Sequence, residues 1–239
     1  MIRHRAALVL GIVACALAFW IVIDMTDPRR HDLRDFDGHE VGRLETAMWR
    51  SYYEHHQVLL FRDLTVLLQR QFHLPFWQSV SGGYHAARAA VVFHGGHSHA
   101  DYERALPDLN QYYRLIRRAS ETPFDAGRAA SLELDWWIVH RERAQHPPGD
   151  LTLGLARLQA EIYQMPEERF LEHAAARAEA MLLRDSRAEA GGVSEDDWRR
   201  IGELLDRSWT SLRLALESKR ASQTSKWKAQ EITHGVTYQ

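Results

Sequence analysis

The chain has a single cysteine, Cys15, in 239 residues. It therefore closes no internal disulfide and builds no cysteine-based zinc site. Cys15 lies inside a long apolar run, which also excludes thiol catalysis. Charge of one sign is nearly missing as well: the formal net charge is -2. A nucleic-acid binder would carry a basic excess, so nothing here argues for that partner. The sequence has no phosphate loop, dinucleotide glycine pattern, serine nucleophile elbow, or His-Glu-x-x-His zinc motif. No alternating run bounded by turn residues reads as a strand, and no repeat of fixed period appears.

What is present begins with residues 6–23, AALVLGIVACALAFWIVI, which carry no charge. At about 1.5 Å per residue this run spans roughly 27 Å, close to the ~30 Å hydrocarbon core of a bilayer. A helix buried in a soluble domain would show a polar stripe, and this one shows none. Trp20 sits near its end, where an indole suits the headgroup zone. A cleaved signal peptide would be shorter and end in small residues, whereas this run ends Trp-Ile-Val-Ile-Asp. Ile12-Val13-Ala14-Cys15 loosely matches a lipidation box, but apolar residues continue past Cys15 where a lipoprotein turns polar. The sequence favours an uncleaved signal anchor over both alternatives.

Arg3 and Arg5 precede the run, and Arg29, Arg30 and Arg34 follow it, so the positive-inside count is close to balanced. The short tail before the run favours a domain on the extracytoplasmic side of the membrane.

The expected layout is all-α: a transmembrane anchor over 1–23, a polar stalk over 24–38, a helical bundle over 39–217, and a disordered polar tail over 218–239. Seven helices are expected in the bundle. Val41, Leu44, Glu45, Met48, Trp49, Tyr52, His56 and Leu59 recur at helical spacing and predict one long helix from His39 to Phe72. His73-Leu74-Pro75 ends it. Further helices are expected over about 78–93, 100–119, 122–145, 150–163, 166–188 and 194–217. Thr122-Pro123-Phe124-Asp125 reads as the start of the fourth, with Thr122 as cap, and Ser194 caps the last. Short connections predict antiparallel neighbours.

The residues that invite chemistry are few. Glu133, Trp137 and His140 fall on one stripe, beside Leu132, Trp136 and Val139. A carboxylate among indoles needs a partner, because burying a bare charge is costly. Glu45 repeats the pattern between Val41 and Met48. One reading gathers Glu45, His85, Glu133 and His140 around a transition metal within the bundle, as an oxidative or cofactor-binding site. The other pairs the carboxylates with Arg88 or a histidine. The second is favoured, because no Glu-x-x-His pair occurs and Glu133 and His140 stand about 10 Å apart along a helix. His94, His97 and His99 surround Gly95-Gly96 and are a second candidate metal set, against a plain loop. The leading expectation is a non-catalytic, membrane-anchored scaffold. Its partners are the bilayer, through residues 6–23, and another membrane or envelope protein.

Overall fold

The structure is a computed structural model that describes residues 2–27 and 29–234. Every regular element in it is helical. α1 is Ile2–Met25, the apolar helix, of which Leu8–Met25 is long and apolar enough to cross a membrane. There follow α2 (Gly38–Tyr53), α3 (Gln57–Phe72), α4 (Phe76–His94), the short α5 (His99–Glu103), α6 (Leu106–Ala119) and α7 (Ala126–Arg141). After a 3-10 turn come α8 (Asp150–Tyr163), a second 3-10 turn at Glu167–Phe170, α9 (Leu171–Glu189) and α10 (Glu195–His234).

The helices pack as a closed ring. α2 lies on α3, α3 on α4, α4 on α6, α6 on α7, α7 on α8, α8 on α9 and α9 on α10; α10 returns to α2. Two glycines one turn apart make that last contact possible. A Cβ on Gly42 would stand 2.8 Å from the Asp206 Cα, and one on Gly38 would stand 2.9 Å from the Trp209 carbonyl oxygen. The two backbones touch because neither glycine has a side chain.

The long first helix expected over 39–72 is in fact a hairpin. The chain breaks at Glu54–His56, where His55 takes φ +60° and the His56 N–H reaches back to the Ser51 carbonyl at 2.9 Å. This is a left-handed helix end, usually made by glycine. The hairpin is latched inside by Ser51, whose hydroxyl donates to buried Asp63 at 2.8 Å.

The cap expected at Thr122 belongs to Asp125, whose carboxylate accepts from the Gly127 and Arg128 N–H groups at 2.8 and 3.1 Å. Thr122 is buried before the helix begins. Ser194 does cap α10, accepting from the Asp197 N–H at 3.2 Å.

Two segments differ from the expected outline. The stretch read as a polar stalk is packed: Leu33 and Phe36 are buried, and His31 exchanges backbone hydrogen bonds with Ala119 and Glu121. α10 continues to His234 through most of the stretch read as a tail, which has no proline and no glycine before Gly235; residues 235–239 lie outside the described residues.

Candidate functional site

The middle of the ring is polar. Glu45 on α2 is 1% exposed. Its Oε1 accepts from Arg177 Nε and Nη2 of α9, at 3.0 and 2.6 Å. Its Oε2 accepts from the Trp209 indole of α10. Glu133 on α7 is matched in the same way. Tyr113 of α6 donates to its Oε2 at 2.7 Å, and Trp137 donates to its Oε1 at 2.9 Å. The Arg177 guanidinium also lies 5.4 Å from the centre of the Trp136 ring, within cation–π range.

Five helices, α2, α6, α7, α9 and α10, thus place two carboxylates around one guanidinium, and each carboxylate oxygen has a donor. Burial opposes the Arg177 charge, but Glu45 and Glu133 outweigh it and hold its pKa above the ordinary value. Burial and the nearby Glu133 push the Tyr113 phenol well above its usual range, so it stays a donor. The chemistry on offer is charge pairing in a largely buried centre.

His173 extends this centre. It is 1% exposed, and its ring meets Trp209 edge-on at 5.1 Å. Nδ1 lies 3.0 Å from the Ser208 carbonyl oxygen and 2.8 Å from the Ser208 hydroxyl, and among the described residues Nε2 has no hydrogen-bond partner. Burial, followed by the Arg177 charge, drives the imidazole down to about 3. The unfolded chain takes up a proton near pH 6.5 and the folded one does not, so stability falls as pH drops through that window. We expect His173→Gln to flatten the pH dependence of urea unfolding between pH 6.5 and 4.5, by up to about 1.4 kcal/mol per pH unit. Identical slopes for variant and parent would show that the ring is not buried in its neutral form.

The four residues first grouped as a metal set do not converge. Glu45 and Glu133 are engaged as above. His85 Nδ1 lies 2.8 Å from Asp108, which also takes Arg88 at 3.2 Å. His140 Nε2 lies 3.0 Å from Asp185, which is shared with Arg143 and Arg184. Among the described residues no three His, Cys, Asp or Glu side chains are grouped to hold a metal ion. The alternative pairing also needs correction, because Arg88 serves Asp108 and the partner of Glu45 is Arg177.

The His94, His97 and His99 turn is organised by a different residue. Arg141 of α7 donates to the Phe93, His94 and Gly96 carbonyls at 2.6, 2.8 and 3.2 Å. Its guanidinium also stacks over the Phe93 and Tyr102 rings. The carbonyls at the end of α4 thereby meet a fixed cation. The three imidazoles are exposed, and His99 Nε2 lies 3.6 Å from Glu142.

An open cleft of about 480 Å³ lies between α7, α8 and the second 3-10 turn. Its two arginines are already paired, Arg128 with Glu161 at 3.1 Å and Arg157 with Glu167 at 3.4 Å.

Sequence reasoning missed Arg177, Trp209, Tyr113, Asp108 and His173. Only Asp108 carried a local signal, as an acid in the first turn of α6 after Pro107. The comparisons add no relative: no family model, curated protein or solved structure matches the chain. The class is thus set by the molecule itself, an all-α ring with a paired polar centre and one N-terminal helix apolar enough to cross a membrane.

Proposed function

We propose that this chain is a membrane-anchored scaffold or accessory protein, with its domain on the extracytoplasmic side, that docks another protein of the same membrane through the α3–α4 hairpin. One observation carries the reading. Ten large hydrophobic side chains outside α1 are exposed among the described residues, and six belong to this hairpin: Val58, Leu59, Phe61, Phe76, Tyr84 and Val91. Val58 is 84% exposed and Val91 71%. Tyr84 and Val91 stand two turns apart on one face of α4. Phe61 also packs across to Gly83, 3.7 Å from where a Cβ would stand, so the two helices are in direct contact.

Scattered apolar residues on a surface carry no message, whereas a concentration on one element marks an interface. The hairpin also adjoins the anchor, since α1 packs on α4. A partner in the same bilayer is therefore within reach. The polar centre, with its carboxylates already matched, supports a binding role over a catalytic one.

The test is a photo-crosslinking side chain at Tyr84 in intact membranes, with Leu182 on α9 as the exposed control. One discrete adduct at Tyr84, absent at Leu182 and lost with Val91→Glu, is the expected result. Equal labelling at both positions, or none at either, would overturn the proposal. An adduct with the mass of two copies would make the partner a second copy of this chain. A reporter fused to the C-terminus reads the side of the membrane separately.

A further inference from the structure

We infer that the first turn of α4 sits in the headgroup layer of the bilayer, fixed there by α1, so that anchor and ring form one rigid body rather than a ring on a leash. The inference rests on α1 crossing the membrane, as proposed above. Its ligand is the lipid–water interface.

Three observations meet at one place. Trp20, about one turn before the apolar run ends at Ile23, stacks on Phe76 with ring centres 5.6 Å apart and an interplanar angle of 15°. It also meets Trp77 edge-on at 5.5 Å, and Phe76 and Trp77 touch each other at 5.1 Å. Rings in contact share a depth. Trp20 lies about 5 Å along the helix axis from Ile23, the last residue of the apolar run. A tryptophan at that position belongs at the membrane interface, and its two neighbours go with it. Phe76 is nevertheless 42% exposed in the protein, so part of its face is left for something else to cover.

The second observation is Asp24. The residue before α4 is Pro75, which offers no side-chain cap to the helix. The cap comes instead from α1: the Asp24 carboxylate, 8% exposed, accepts from the Trp77 and Gln78 N–H groups at 3.0 and 3.2 Å. The third is the return bond, in which the Gln78 amide donates to the Asp24 carbonyl at 2.7 Å. Free N–H groups at a helix start are expensive beside lipid. Asp24 satisfies two of them and ties the anchor to the ring in the same contact. A carboxylate there is further favoured by the positive end of the helix dipole.

The experiment uses the full chain in phosphatidylcholine vesicles, with an environment-sensitive nitrobenzoxadiazole label on one cysteine at a time. Three sites are compared: native Cys15, Phe76→Cys and Val58→Cys, the last two in a Cys15→Ala background. Val58 lies at the opposite end of α3, about 20 Å away along the helix. The expected result is quenching by brominated lipid at positions 15 and 76, and quenching by aqueous iodide alone at position 58. With Asp24→Ala added, position 76 should lose its lipid quenching and become open to iodide, while the helical circular dichroism is unchanged. Lipid quenching at 15 with only iodide quenching at 76 would overturn the inference and leave the anchor standing. Absence of lipid quenching at 15 would remove the anchor and the inference together. Unchanged lipid quenching at 76 in Asp24→Ala would refute the role given to Asp24.

Discussion

Arg177→Leu will destabilise the ring by about 3–5 kcal/mol, the cost of leaving a buried charge without its partner. The variant removes both hydrogen bonds to Glu45 Oε1 and the only cation among the groups bonded to the two central carboxylates. Glu45 keeps the Trp209 indole alone. Adding Glu45→Gln removes the orphaned charge and should restore part of the loss, whereas a lost packing contact would not be recovered. Urea unfolding of the full chain in detergent micelles reads the single and the double variant. A deficit below about 1 kcal/mol, unchanged by Glu45→Gln, would match a surface ion pair and sink the account of the centre.

Gly42→Leu will open the ring at its seam. Overpacking a core commonly costs about 1–3 kcal/mol, and flexible neighbours absorb part of it. Here the nearest atoms are the Asp206 backbone and the Leu205 carbonyl, which cannot turn aside. Even Gly42→Ala must push α2 from α10, since its Cβ would arrive 2.8 Å from the Asp206 Cα. Gly202, also on α10, is the control. A Cβ there meets only the Thr46 side chain at 3.5–3.6 Å, an ordinary contact. Alanine at that position should raise stability by roughly 0.5–1 kcal/mol, the usual gain of replacing glycine within a helix. The two alanine variants are therefore expected to move the melting temperature in opposite directions. A stabilising Gly42→Ala would show that α2 and α10 do not touch backbone to backbone.

Much of this architecture was legible along the chain. The membrane-compatible helix is written in composition alone, because nothing polar interrupts it. Helix ends marked by proline or glycine, such as Pro75, Gly95-Gly96 and Gly191-Gly192, fall where the helices stop, whereas α7 ends at Arg141, ahead of a 3-10 turn and Pro147-Pro148. The break at His55 was not legible, because a left-handed residue without glycine leaves no trace in apolar spacing. Glu133 was conspicuous as a carboxylate on an aromatic stripe. Its partner Trp137 lay on that same stripe, one turn on, serving as a hydrogen-bond donor as well as an apolar surface. Arg177 stands 132 residues from Glu45. No local pattern marks it among the other arginines, and only the closing of the ring brings the two together.

That closure has a consequence for how the protein is made. α2 leaves the ribosome well before α10, the helix that covers its glycine face. At ordinary rates of synthesis, on the order of 5–20 residues per second, that face waits for roughly ten to thirty seconds. For most of the interval Glu45 has neither Arg177 nor Trp209, and the nascent chain is an open arc of helices with a charged interior. A cell that makes this protein must tolerate or shelter that arc, and the docking of α10 through Leu205 to Thr210 is the step that ends the exposure.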